Sequence, residues 1–264
     1  MKKNVVLMVL VMLTACGLLA GCQELVGCRE RVVRGSGHLA TNEYNFEGFT
    51  RVEVDSPIRF EITQSGNYGV EVTADDNMFD YIHVDQVGDT LTMQKERAIY
   101  ANTTVVAVIR MPQLVGLNIS GATRGTVSGF DSKENLDIMV SRASFLDLMD
   151  ISAGNTYFHI SRASQVAGEV DAANVEFYLD EACTIQLDGS ADDIIVKAYG
   201  ASNADLAGLE INNASVILGG ASTAILNLDG RLDANLDGAS NLKYTGEPTM
   251  GSIDTSGNST VSRR

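Results

Sequence analysis

Ser141-Arg142-Ala143-Ser144 and, twenty residues on, Ser161-Arg162-Ala163-Ser164 decide the fold, because the same mark keeps returning. Before them stands Ser120-Gly121-Ala122-Thr123. After them come Asp180-Glu181-Ala182-Cys183, Tyr199-Gly200-Ala201-Ser202 and Gly219-Gly220-Ala221-Ser222. Asp237-Gly238-Ala239-Ser240 and Ser256-Gly257-Asn258-Ser259 close the series, with intervals of 18 to 21 residues throughout. A period of this size means a solenoid, in which each unit buries its apolar side only against its neighbours.

The columns around the mark say what each unit contains. Three residues after the Ala come Leu146, Val166, Ile185, Ala204, Ala224 and Leu242, and five after it Val127, Leu148, Leu187, Leu206 and Leu226. A second apolar pair follows in each unit, as in Ile138 and Val140, Phe158 and Ile160, Phe177 and Leu179, Val196 and Ala198. Alternation at period two means strands. Gly129, Gly189, Gly208 and Gly246, seven residues after their Ala, separate the two strands of a unit. Each unit reads as strand, turn, strand, turn, with no room for a helix. The small Ala is expected to point inward at a tight corner. The residue after it, Ser, Thr or Cys183, is expected to form a ladder of hydroxyls, each bonding the next.

Upstream, Val52 and Val54, then Ile58, Phe60 and Ile62, then Val70 and Val72 alternate in the same way, as do Leu91 with Met93 and Val105 with Ala107 and Ile109. Ser65-Gly66-Asn67 and Val87-Gly88-Asp89 are turn signals between these runs. Only Asp75 to Tyr81 suits a helical turn. The fold class is therefore all-β: an N-terminal β region over 38–116, then a single-stranded parallel β-helix over 117–260 with coils of about 20 residues. Right-handed winding follows the general preference of parallel crossovers.

The first residues are an address. Met1-Lys2-Lys3 is a short basic start, an apolar run follows to Leu19, and Leu19-Ala20-Gly21-Cys22 has the form of a bacterial lipobox. Residues 1–21 are read as a signal peptide, Cys22 as the lipidated first residue of the mature chain, and 22–37 as a tether. Acyl chains on Cys22 would anchor at about 0.8 kcal/mol per buried CH₂. This places the protein in the cell envelope, facing the periplasm or the exterior. Arg29, Arg31 and Arg34 in the tether can touch anionic lipid. Cys28 and Cys183 are read as two separate thiols.

The segments Gly48-Phe49-Thr50-Arg51-Val52-Glu53-Val54, Phe60-Glu61-Ile62-Thr63-Gln64 and Val70-Glu71-Val72-Thr73-Ala74-Asp75-Asp76-Asn77 resemble the opening of the family called putative auto-transporter adhesin, head GIN domain. The Ser-Gly-Ala-Ser-like marks are similar to its second part, so the resemblance spans about 36–260. It implies an all-β protein with a β-helical repeat region, secreted or lipid-anchored, and supplies no catalytic residues. Arg142 and Arg162 depart from its plainer pattern, in which that column is Gly.

Composition narrows the function. Of 264 residues, 34 are acidic and 19 basic, for a formal charge of −15. Nucleic acid is excluded as a partner, since phosphate binding needs clustered Lys and Arg. His38, His83 and His159 are far apart, with no nucleophile motif beside them. No catalytic residue, metal ligand or cofactor is assigned; Asp192, Asp193, Asp229, Asp233 and Asp237 read as solvated carboxylates rather than a calcium site.

The expected function is a non-catalytic, adhesin-like binding or structural module offering a rigid β-helical face to a glycan or envelope protein. The alternative is a carbohydrate-active enzyme of lyase or glycosidase type using surface carboxylates. The uniform coil length leaves no long loop from which to build its cleft. Further copies of the chain could stack end to end on the open strand edges. Arg142 and Arg162, in one column of adjacent coils, are the candidate ligand contacts. Glu181 is expected to pair with Arg162, and a bound anion or glycan to neutralise Arg142.

Overall fold

The computed structural model describes residues 31–264. The expected signal peptide, Cys22 and Cys28 lie outside the described residues. The fold is the one the repeat demands, with 66% of residues in strands, 3% helical, and a β-solenoid of about seven turns after an N-terminal β region.

Each coil contributes to two long faces. The first face runs through Gly116–Ser120, Leu136–Val140 and Thr156–Ser161, paired parallel and in register. It continues through the C-terminal halves of Gln165–Asp180, Thr184–Ala198 and Asn203–Leu218, then Arg231–Leu236 and Thr249–Thr255. The second face runs through Arg124–Ser128, Phe145–Ala153, the N-terminal halves of the same three strands, then Thr223–Leu228, Asn241–Thr245 and Thr260–Arg263. In the middle coils the strand does not stop at the glycine. Gln165–Asp180 and Asn203–Leu218 each run 16 residues around the corner, so the expected turn there is a bend in a continuous ladder.

Every apolar column assigned from the sequence is buried. Val166, Phe177, Leu179, Ile185, Leu187, Val196, Leu206 and Val216 are each at most 1% exposed. Phe158 and Phe177 stack in the interior, centroids 5.3 Å apart, because parallel in-register coils put like side chains one above another.

Two columns at the turn behave differently from expectation. The Ala does not point in: Ala122, Ala143, Ala163, Ala182, Ala201, Ala221 and Ala239 are exposed. The backbone explains it. Residues Arg142–Ala143, Arg162–Ala163 and Glu181–Ala182 are all left-handed, with φ between 57° and 63°, which swings both side chains outward. The next residue is the first to face the core. Thr123, Ser144, Ser164, Cys183, Ser202, Ser222 and Ser240 are at most 2% exposed.

The hydroxyls bond backbone rather than one another. Ser144 Oγ donates to Ser141 O at 2.7 Å and accepts Thr123 N–H at 3.2 Å. Ser164 Oγ accepts Ser144 N–H, Ser202 Oγ accepts Cys183 N–H, and Ser259 Oγ accepts Ser240 N–H. These four hydroxyls thus satisfy amides that the tight turn would otherwise leave buried and unpaired, whereas Thr123 and Ser222 donate to carbonyls and Ser240 Oγ is buried without a partner. Cys183 keeps the donor half, Sγ to Asp180 O at 3.0 Å, and burial pushes its thiol above the ordinary range. That is the opposite of an activated cysteine.

The N-terminal region continues both faces. Arg51–Asp55 and Arg59–Gln64 form a coil in parallel register with Gly116–Ser120 and Arg124–Ser128. Thr90–Lys95 and Val105–Met111 lie on its other side, so a later segment packs outside an earlier one. Antiparallel strands finish this end: Ile82–Val87 on the first face, Gly69–Asp75 and Leu39–Tyr44 on the second. The helical turn expected near Asp75 is a 3-10 turn over Asp76–Tyr81. Buried Asp75 ties it to the cap by accepting Thr104 N–H at 2.7 Å and Gly37 N–H at 2.8 Å, which hold its carboxyl below the usual range.

Candidate ligand-binding face

In-register stacking turns every outward position of a coil into a column along the rod. On the first face, Met139, His159, Tyr178 and Lys197 make one column and Asp137, Tyr157, Glu176 and Ile195 the next. Met139, Tyr157 and Ile195 are 46%, 42% and 39% exposed. Glu176 separates Tyr157 from Ile195 in their column, so the exposed apolar groups alternate with charge on this face. The rings also meet one another: His159 stands edge-on to Tyr178 at 4.8 Å, and Tyr178 is 5.9 Å from Tyr199.

Charges frame these rings in pairs. Lys197 Nζ lies 2.6 Å from Glu176 Oε1, and that hydrogen bond raises the lysine above its ordinary pKa. Arg231 bridges both oxygens of Asp233, at 2.6 and 2.8 Å, raising the guanidinium and lowering the carboxyl. Arg162 Nε stands 3.7 Å from Glu181 Oε2, the pairing the sequence suggested.

Two shallow clefts open on this surface. One, of about 460 Å³, is lined by His159, Ser161, Arg162, Tyr178, Asp180 and Glu181. The other, of about 310 Å³, lies beside it along the same strands, between Asn155, Asn174 and Asp193 on one side and Tyr157, Glu176 and Ile195 on the other.

Of the two arginines singled out from the sequence, Arg162 lines the larger cleft. Arg142 sits one coil away, and its counter-charge belongs to the protein: Nη1 is 3.8 Å from Asp55 Oδ2, so no bound anion is needed to neutralise it. Both residues hold the left-handed turn position that Gly121, Gly200, Gly220, Gly238 and Gly257 occupy elsewhere. Sequence reasoning missed Tyr157, Tyr178 and Tyr199. Their signal was an outward alternation one residue out of phase with the core positions, which the apolar columns had masked.

The arrangement suits binding. Rings with polar edges, amides and paired charges on a rigid sheet contact sugar or protein surfaces with little ordering cost. Among the described residues there is no group of three or more His, Cys, Asp or Glu that could hold a metal ion.

A family model described as putative auto-transporter adhesin, head GIN domain, matches residues 48–248. No curated protein matches the chain. Solved structures share the fold, three of them as follows. A putative adhesin from Parabacteroides merdae ATCC 43184 is 20% identical, with a TM-score of 0.83 over 89% of this chain and 99% of that one. A putative adhesin from Parabacteroides distasonis ATCC 8503 is 21% identical, with a TM-score of 0.82 over 88% of this chain and 100% of that one. A protein of the same organism described as a putative lipid binding protein is 16% identical, with a TM-score of 0.81 over 89% and 100%.

Proposed function

We propose a function from the premise that this chain belongs to the putative auto-transporter adhesin, head GIN domain family. It is a non-catalytic, adhesin-like module of the cell envelope, anchored by lipid on Cys22, that presents the first face of its solenoid to a glycan. Family membership supports the adhesin-like role and the surface location. The lipobox-like Leu19-Ala20-Gly21-Cys22 supports the anchor.

One observation carries the binding reading. The ring column of His159 and Tyr178, with Tyr199 beside it, lies at the rim of an open cleft that also holds Arg162, Asp180 and Glu181. Rings offer flat apolar surface to the C–H faces of sugars, and the flanking polar groups can bond hydroxyls. The charged groups nearby are engaged in ion pairs or backbone bonds: Glu176 with Lys197, Glu181 with Arg162, Asp180 with Glu181 N–H. A glycosidase sets two available carboxyl groups across the scissile bond, whereas these carboxylates are each engaged by a partner of the protein's own.

The test is an array of glycans and cell-wall polymers probed with the full chain, beside an assay for product on the same ligands. Binding without turnover is the expected result. Product formation would establish the carbohydrate-active enzyme instead.

A further inference from the structure

A polar ladder borders the aromatic columns. Asn135, Asn155, Asn174, Asp193, Asn213 and Arg231 occupy one column at the corner where the strands enter the first face. They repeat at the solenoid period, 18 to 20 residues. Asn135 Oδ1 accepts Asn155 N–H at 3.1 Å, and Asn155 Oδ1 accepts Asn174 Nδ2 at 2.8 Å. Asp193 Oδ1 accepts Asn213 Nδ2 and Asn213 Oδ1 accepts Arg231 N–H, both at 2.8 Å. The ladder breaks once: Asn174 and Asp193 face each other in register without a hydrogen bond between them.

That break lies inside the cleft between Tyr157 and Ile195. A third hollow, of about 190 Å³, shares Asp193 and Ile195 and carries the groove on past Asn213 and Ser215 to Arg231 and Asp233. The result is a furrow along the rod axis, one wall setting Tyr157 and Ile195 on either side of Glu176 and the other lined with amides and Asp193.

We propose that this furrow binds an unbranched, uncharged glycan lying along the rod axis. The inference rests on the glycan reading above and names its ligand class. Coils recur about every 4.8 Å, close to the length of one extended hexose unit, so successive sugars meet equivalent positions on successive coils. Tyr157 and Ile195 pack against sugar ring faces. Asn174 and Asp193, at the break, accept hydroxyl hydrogen bonds. Charge selects against acidic polymers. The cations at this surface are each matched, Lys197 by Glu176 and Arg231 by Asp233, whereas Asp193 has only an amide partner. A uronate or phosphate would meet an unneutralised carboxylate within one screening length, about 8 Å.

The experiment titrates the full chain calorimetrically with neutral β-linked hexose oligomers of increasing length and with a uronic acid oligomer. Affinity is expected to rise with length up to the span of the furrow, and the neutral oligomer to bind at least about tenfold tighter than the uronate. Tyr157→Ala should cost about tenfold and Tyr157→Phe about threefold or less, with unchanged circular dichroism melting. Asp193→Asn should narrow the gap between the two ligands. Equal or tighter uronate binding, or a neutral affinity indifferent to both length and Tyr157→Ala, overturns the proposal. Glycan binding that survives Tyr157→Ala but is lost in Tyr178→Ala overturns the furrow and leaves the adhesin-like reading standing. Absence of any glycan binding overturns both.

Discussion

Ser164 Oγ accepts the backbone N–H of Ser144 from the adjoining coil at 3.3 Å, and both residues are essentially buried. The same contact recurs along the rod, from Thr123–Ser144 to Ser240–Ser259. It explains why the column admits Ser, Thr or Cys: the side chain must be small and face inward, and at Ser144, Ser164, Ser202 and Ser259 it also supplies the acceptor for a turn amide.

Ser164→Ala removes that acceptor and leaves Ser144 N–H buried without a partner. The expected loss is about 1–3 kcal/mol in denaturant unfolding. Ser164→Cys, which copies the residue at Cys183, should lose less. An alanine variant as stable as the parent would show that the ladder is ornamental to stability.

Arg162 sits at φ 58° and Arg142 at φ 57°, where an L side chain costs roughly 1–2 kcal/mol. Their half-exposed bridges return at most about 1 kcal/mol each. The double change Arg142→Gly with Arg162→Gly should therefore fold with stability unchanged or raised by about 1 kcal/mol. Arg162→Val should lose about 1–2 kcal/mol, because branching at Cβ is least tolerated in this conformation. A clear loss in the double glycine variant would contradict the turn geometry.

Leu187 is 1% exposed and lies in register with Gly168 of the preceding coil. Leu187→Asp should cost about 4 kcal/mol or more, the signature of an unpaired buried charge. An unshifted melting temperature would mean that the inward register is wrong.

Much of this was legible in the sequence, and what was not has a physical cause. Inward columns such as Val166–Ile185–Ala204 show themselves because burial tolerates only apolar side chains. The Ala column misled because smallness was read as burial; the left-handed pair at the turn, not packing, sets it. The placement of Thr90–Lys95 and Val105–Met111 outside the earlier coil Arg51–Gln64 was invisible, since pairing between distant strands leaves no local period. The Asn ladder carried the repeat period in plain view. Its residues are exposed or only partly buried, and such a polar column reads as a solvated surface until neighbouring coils are stacked. The ring patch at Tyr157 and Tyr178 stayed hidden for the same reason.

Asp75 has its carboxyl held low by Thr104 N–H first and Gly37 N–H second. A carboxylate whose folded pKa lies below its unfolded value, about 3.9, adds stability above that value. The contribution is lost as pH falls through the unfolded value toward the folded one. Thermal melts should therefore weaken below about pH 4, and Asp75→Asn should lower the plateau near neutrality while flattening the acid limb. An acid limb identical in parent and variant would remove Asp75 from this role.

Cys22→Ser should abolish metabolic labelling with a fatty-acid analogue and release the protein from the membrane fraction. Labelling that persisted in the serine variant would place the acyl group elsewhere, or refute the anchor.

The central claim is that the first face binds a glycan and leaves it intact. The direct measurement incubates the full chain with a defined oligosaccharide found to bind on the array, recovers the ligand, and reads its mass and reducing ends beside a control carrying both Tyr157→Ala and Tyr178→Ala, one ring from each cleft of the face. The account predicts ligand recovered at full length from the parent and binding weakened at least about tenfold in the double variant. Shortened oligosaccharides, unsaturated ends, or undiminished binding by the double variant would contradict it.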